Sequence, residues 1–257
     1  MNEDIIFNKF KNAIEANGMT IDKVDDSGLL YISQGDWALE VSLDNVRRNY
    51  ARDQDESHIF DLVETILSYA VEMPQNWEDV KDHIYVSLFP SDHDFDSFIH
   101  VPVTDMFDKV FAHYDGTKHS WIAIEDTMKW GIDQDQLQNQ ASKNADSLSN
   151  AAGIKIEDVE GHRLGFIDHE QATLKGALLF SPAMQRRLSA EFGFSFYAVI
   201  PVRDFCYIFP EEDLEFFSSR LGSTVTEEYK NSGYPITTEI LRFSSQGVEA
   251  IGHYPVD

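Results

Sequence analysis

The chain is short of cysteine and of positive charge, and each shortage excludes something. A single cysteine, Cys206, in 257 residues cannot close an intramolecular disulfide. No disulfide framework holds this fold, and a reducing compartment is expected. Lys plus Arg total 20 against 45 Asp plus Glu, a formal net charge of −25. A field of that sign repels phosphate backbones, so neither direct nucleic-acid binding nor docking on an anionic membrane is expected. Long hydrophobic runs are missing too. Phe196–Pro201 is among the longest, far below the roughly 20 apolar residues of a membrane-spanning helix. The start, Met1-Asn2-Glu3-Asp4, is acidic where a secretory signal is basic. These absences together point to a cytoplasmic protein.

Motifs of well-known chemistry are also missing. There is no Walker loop, no Gly-x-Gly-x-x-Gly, no Gly-x-Ser-x-Gly and no His-Glu-x-x-His. What is present is the composition of a folded chain. Hydrophobic residues make up 42% and aromatics 12%, too much for disorder. The acidity is uneven, because residues 1–100 hold 21 acids against 7 bases.

Periodicity divides the chain into mixed elements. Ile6, Phe10, Ala13 and Ile14 form the stripe of a first helix, ended by Asn17-Gly18. Met19–Val24, Leu29–Ser33 and Trp37–Leu43 read as strands joined by turn compositions. Ile59, Leu62, Val63, Ile66, Leu67 and Ala70 mark the clearest helix, with Pro74 past its end. Ile84–Phe89 and Phe98–Val103 are expected as strands, and Met106–Tyr114 with Trp121–Ile124 as a strand pair around Asp115-Gly116-Thr117. Asp133 and Gln136 stand at the spacing of a capping box, opening a helix with Leu137, Ala141, Ala145 and Leu148 on one face.

Further on, Ile154–Val159 and Arg163–Asp168 are expected strands. Ser181-Pro182 reads as a helix start and Phe192-Gly193 as its end. The uninterrupted apolar run Phe196–Ile200 is the pattern of a strand buried on both faces. A turn at Val202-Arg203-Asp204 leads into Phe205–Phe209. A helix then follows with the stripe Leu214, Phe217, Leu221 and Val225, and Ile236–Phe243 with Val248–Tyr254 closes the chain as a hairpin. Hairpins and helices alternate without a βαβ rhythm. The fold class is therefore α+β, a mixed and mainly antiparallel sheet or sheets packed with helices. The expected lobes are 1–153, acidic, and 154–257, or else one compact unit.

Few residues stand out as chemistry. Asp92, Asp94 and Asp96, with His93 between them, are the densest set of hard ligands. Their alternation resembles the start of a calcium loop, but Ser97 stands where that loop needs glycine and Val103 where it needs glutamate, so an EF-hand is excluded. Six of the nine histidines (His58, His83, His93, His100, His113 and His119) fall within 62 residues at spacings that match no compact metal pattern. Cys206 lies inside an apolar strand and is expected to be inert. Arg203-Asp204 admits two readings. One is a guanidinium presented on a rigid hairpin to a carboxylate or phosphate; the other, commoner one is a turn that satisfies its own backbone.

A resemblance enters with the run from Phe111 to Leu148. Ala112-His-Tyr-Asp-Gly-Thr-Lys118, Trp121-Ile-Ala-Ile-Glu125, Trp130-Gly-Ile and Asn144-Ala-Asp-Ser-Leu148 are similar to the YtpQ-like family of uncharacterised bacterial proteins. Ile200-Pro-Val-Arg-Asp-Phe205 and Tyr234-Pro-Ile-Thr237 resemble its C-terminal half. The resemblance spans nearly the whole chain and implies a shared fold. The family has no known activity, so no residue role comes with it. From the residues, the expected function is non-catalytic: a protein-binding module whose acidic face meets a basic protein, of inhibitor, immunity or nucleic-acid-mimic type. Asp92, Asp94, Asp96, Arg203 and Asp204 are the candidate partner-binding residues, with no cofactor and no metal expected. The alternative is a metal-assisted hydrolase built from the His/Asp-rich region 58–119.

Overall fold

The computed structural model describes residues 4–35, 37–69, 73–115 and 119–256. Ala70 and the turn Gly116-Thr117 lie outside the described residues, as does the side chain of Trp37. The chain divides into two compact units, Met1–Met73 and Pro74–Asp115 with His119–Asp257.

In the first unit, helix α1 (Ile5–Ala16) precedes an antiparallel meander of β1 (Thr20–Val24), β2 (Leu30–Gln34) and β3 (Trp37–Val41), followed by α2 (Asp44–Asp53) and α3 (Ser57–Tyr69). Asp4 caps α1, its Oδ1 accepting the Phe7 N–H at 3.0 Å. Ile6, Phe10 and Ile14 recur every four residues on α1 and are buried. They share one core with Leu30 and Ile32 of β2 and with Ile59, Val63 and Ile66 of α3. The expected α3 stripe is present, with Leu62 and Leu67 half-buried at its margin. Helix α2 had no periodic signal, because its polar sequence buries Val46 as its one deep apolar residue among those described.

The second unit holds two antiparallel sheets. It opens with α4 (Trp77–Val80) and the first sheet, β4 (Ile84–Pro90), β5 (His100–Pro102), β6 (Phe107–Tyr114) and β7 (His119–Trp121), in which β6 pairs with the other three. The expected strand Trp121–Ile124 is shifted. Its strand part is His119–Trp121, and Ile124 opens helix α5 (Ile124–Trp130) instead. Asp126 decides this, because its Oδ2 accepts the Ala123 N–H at 3.0 Å and turns the chain into a helix. Helix α6 (Gln134–Ala151) begins with the expected capping box. Asp133 Oδ1 accepts from Gln136 N–H at 2.8 Å, and Gln136 Oε1 accepts from Asp133 N–H at 3.1 Å.

The second sheet runs in the order β13-β12-β10-β11-β9-β8. Its strands are β8 (Gly153–Val159), β9 (His162–Asp168), β10 (Phe196–Val202), β11 (Phe205–Pro210), β12 (Glu239–Ser244) and β13 (Gly247–His253). Helices α7 (Lys175–Leu178) and α8 (Pro182–Phe192) interrupt it after β9, and α9 (Leu214–Arg220) and α10 (Gly222–Asn231) after β11. Strand β10 is buried on both faces, as its apolar run requires. Phe196, Ala198 and Ile200 point into a core with Leu178, Met184 and Leu188. Tyr197 and Val199 point into the opposite core with Phe217, Leu221 and Val225. The expected single helix over 214–225 is two helices meeting at Leu221.

The boundary expected at 153/154 does not appear as a division. Leu88 and Phe107 of the first sheet belong to the same core as Ile167, Leu188 and Phe243. A continuous apolar core across that position leaves no room for a linker. The contact boundary falls at Met73/Pro74 instead.

Candidate functional site

The acidic loop joins β4 to β5 and is built around one buried ring. Phe95 is 5% exposed, its ring 5.4 Å from Trp121 and 5.0 Å from His100. Trp121 in turn packs against Phe89 at 4.7 Å and Phe98 at 5.1 Å. With Phe95 held inside, Asp92, Asp94 and Asp96 are left outside and exposed. Asp94 Oδ1 accepts the Asp96 N–H at 3.1 Å, and the Phe98 N–H donates to Phe95 O at 2.8 Å. The loop therefore has a fixed shape.

Both ends of the loop are tied through the backbone to residues whose apolar side chains are exposed. The Ser91 N–H donates to Met106 O at 3.0 Å, and the Ile124 N–H donates to Ser97 O at 3.0 Å. Met106, Ile124 and Met128 are 53%, 40% and 73% exposed. Ile124 and Met128 are four apart on α5 and so share a helix face. Three carboxylates are thus bracketed by exposed apolar residues.

Sequence reasoning missed the buckle at the base of this loop. Buried Asp108 on β6 accepts from Ser91 Oγ at 2.5 Å and contacts His100 Nδ1 at 2.6 Å. The order of groups matters. A nucleophilic triad places the imidazole between hydroxyl and carboxylate, whereas here the carboxylate is in the middle. The trio ties strands β5 and β6 to the loop and does not activate Ser91. Its one trace in the sequence is an acid inside the apolar run Phe107–Tyr114.

Arg203 and Asp204 occupy the β10–β11 turn. Arg203 is buried, and its guanidinium lies 3.9 Å from the centre of the Tyr234 ring, while Tyr234 itself is 55% exposed. Its Nε meets Asp204 Oδ1 at 3.4 Å. The Arg203 N–H donates to Tyr234 O and its carbonyl accepts from the Gly176 N–H, both at 3.1 Å. Arg203 is therefore set into the fold, whereas the acidic loop stands on its surface. His119, on β7, places its Nε2 3.0 Å from Thr173 Oγ1. Burial, and then the Arg203 charge, hold that imidazole down at a pKa of about 4.

The histidines of region 58–119 that lie in the second unit make separate contacts. His100 pairs with Asp108, His119 with Thr173, and His83 stacks edge-on against His113 at 5.8 Å. Among the described residues no group of three or more His, Cys, Asp or Glu side chains is placed to hold a metal ion. Cys206 faces the core with Ile208 and Leu241, and burial pushes its thiol up to about 12. No helix among the described residues is long and apolar enough to cross a membrane. Set against known proteins, the chain matches no family model, and no curated protein or solved structure is significantly similar to it.

Proposed function

We propose that this chain is a non-catalytic protein-binding module that meets a basic protein partner on the acidic loop. One observation carries the reading: Phe95 turns inward, Asp92, Asp94 and Asp96 turn outward, and exposed Met106, Ile124 and Met128 stand at the loop's two ends. Interfaces draw binding energy from apolar anchors, while rim charges steer the encounter. The net charge of −25 extends that steering field well beyond the loop. An inhibitor, an immunity protein or a nucleic-acid mimic is the sharper form of this reading, and a cytoplasmic location accords with the single cysteine. Membership of the YtpQ-like family is part of the same proposal, supported by the order and spacing of the quoted motifs.

The test is capture of basic proteins on the immobilised chain at low salt, followed by kinetics on what binds. Replacing Asp92, Asp94 and Asp96 together with Asn should lower the association rate more than it raises the dissociation rate. Met128→Ser should do the opposite. Raising salt until the Debye length falls to about 8 Å should weaken the wild type more than the triple variant. Capture of acidic proteins alone, or rates indifferent to both salt and these substitutions, would overturn the reading.

A further inference from the structure

An open sheet has two edges, and several edges of this fold are blunted. Strands β1 and β13 carry register shifts in their pairing, and β5 and β7 are three residues long. Bulges and shortness both discourage a further strand from adding. Strand β8 has neither device. It ends the six-stranded sheet, is seven residues long, and pairs with β9 from Gly153↔Asp168 to Val159↔His162 without a shift. It contains no proline. Lys155, Ile156, Glu157 and Asp158 are all exposed, Ile156 at 39%.

The hairpin turn decides which backbone groups face outward. Glu160 and Gly161, at φ 57° and 90°, make the two-residue loop between β8 and β9. The residues flanking such a loop, Val159 and His162, exchange backbone hydrogen bonds, and the antiparallel ladder alternates from there. Lys155 and Glu157 thus direct their N–H and C=O groups to β9. Ile154, Ile156 and Asp158 direct theirs to the open edge, where they can receive another strand.

The side chains specify that strand. When a second β8 lies antiparallel and centred on Ile156, each isoleucine faces its own counterpart. Lys155 then faces the other copy's Glu157, and Glu157 the other copy's Lys155. Opposite charges across such a pair are stabilising, and like charges destabilising. Moving the centre by one residue sets Lys155 against Lys155 or Glu157 against Glu157. Moving it by two separates the lysine from the glutamate. Asp168 already holds the Lys155 ammonium at 2.8 Å across the hairpin.

We propose that β8 is an interface between two copies of this chain, which join edge to edge, antiparallel and centred on Ile156, into one continuous sheet. The acidic loop joins strands of the other sheet, so this interface is separate from the partner reading and goes beyond it.

The test uses the full chain at physiological ionic strength, where a Debye length of about 8 Å screens the repulsion between two chains of net charge −25. Sedimentation equilibrium between about 1 μM and about 1 mM should show monomer passing to dimer. Over that range, amide exchange at Ile154, Ile156 and Asp158 should slow with concentration, while Lys155 and Glu157 stay protected throughout. Lys155→Glu and Glu157→Lys each set like charges opposite one another, and each should weaken self-association about tenfold. An equimolar mixture of the two variants should recover it, because the mixed pair again faces opposite charges. Ile156→Pro removes an outward N–H and no bond to β9, and should leave a folded monomer. A chain still monomeric at about 1 mM, or a dimer whose outward amides exchange as in the monomer, would overturn the interface. Charge variants that associate like the wild type, or a mixture that recovers nothing, would overturn the register.

Discussion

The acidic loop and the Arg203 turn solve the same local problem in opposite ways. Each combines aromatic and charged side chains at the end of a strand. In the loop the ring goes in, Phe95 at 5% exposure, and the carboxylates stay out. At the turn the charge goes in, Arg203 at 8%, and the ring stays out, Tyr234 at 55%. The difference follows from desolvation. A carboxylate with no cation beside it is costly to bury, whereas a weakly hydrated guanidinium can be covered by a ring face and still keep its in-plane donors. Exposed charge acts at a distance on whatever approaches. Enclosed charge acts only on what fits.

The largest way to break this contrast is Phe95→Ala. Removing a buried phenyl ring costs about 3–5 kcal/mol, and the loss should appear as a lowered urea midpoint with the slope unchanged. A cost below about 1 kcal/mol would mean that the loop is not anchored by its ring. Next in size is Gly176→Ala. A Cβ there would lie 2.9 Å from the Arg203 carbonyl oxygen and 3.1 Å from Ile200 Cγ2. Overpacking of this kind costs about 1–3 kcal/mol, and it should move the Arg203 turn while leaving spectra of the acidic loop unchanged.

His119 sharpens the comparison through pH. Its folded pKa is lowered from 6.5 to about 4 by burial and by Arg203. The unfolded chain therefore binds more protons between those values, so stability falls as pH drops through that window and levels off below it. With its partial exposure discounted, the loss is on the order of 1–2 kcal/mol, and His119→Gln should remove it from a denaturation series between pH 7 and pH 4. The smallest expected effect on stability is that of Asp92, Asp94 and Asp96 replaced together by Asn. Thermal unfolding should move by no more than about 0.5 kcal/mol, while association with a basic partner slows. A large stability change would show that these carboxylates hold the loop's shape as well as its field.

Several parts of this molecule were legible residue by residue. The Asp133/Gln136 capping box, the Ser181-Pro182 helix start and the two-sided burial of Phe196–Ile200 are all realised. Each depends on interactions within a few residues or on a periodicity that the backbone imposes. Helix α2 was invisible because polar residues fill it, and α5 because its cap is an Asp126 side chain reaching back to Ala123.

The candidate sites were legible only as residue types. That Asp92, Asp94 and Asp96 form a dense acidic set follows from the sequence; that Phe95 pins them to Trp121 does not. Arg203 lies 31 positions from Tyr234 and 27 from Gly176. No local rule brings those groups together. Strand register and the packing of the Gly176 segment on the β10–β11 turn do so. Composition determined the sign of the field and the amount of core. Only the tertiary structure decided which charges face solvent and which face one another, because that choice depends on desolvation at positions set by distant parts of the chain.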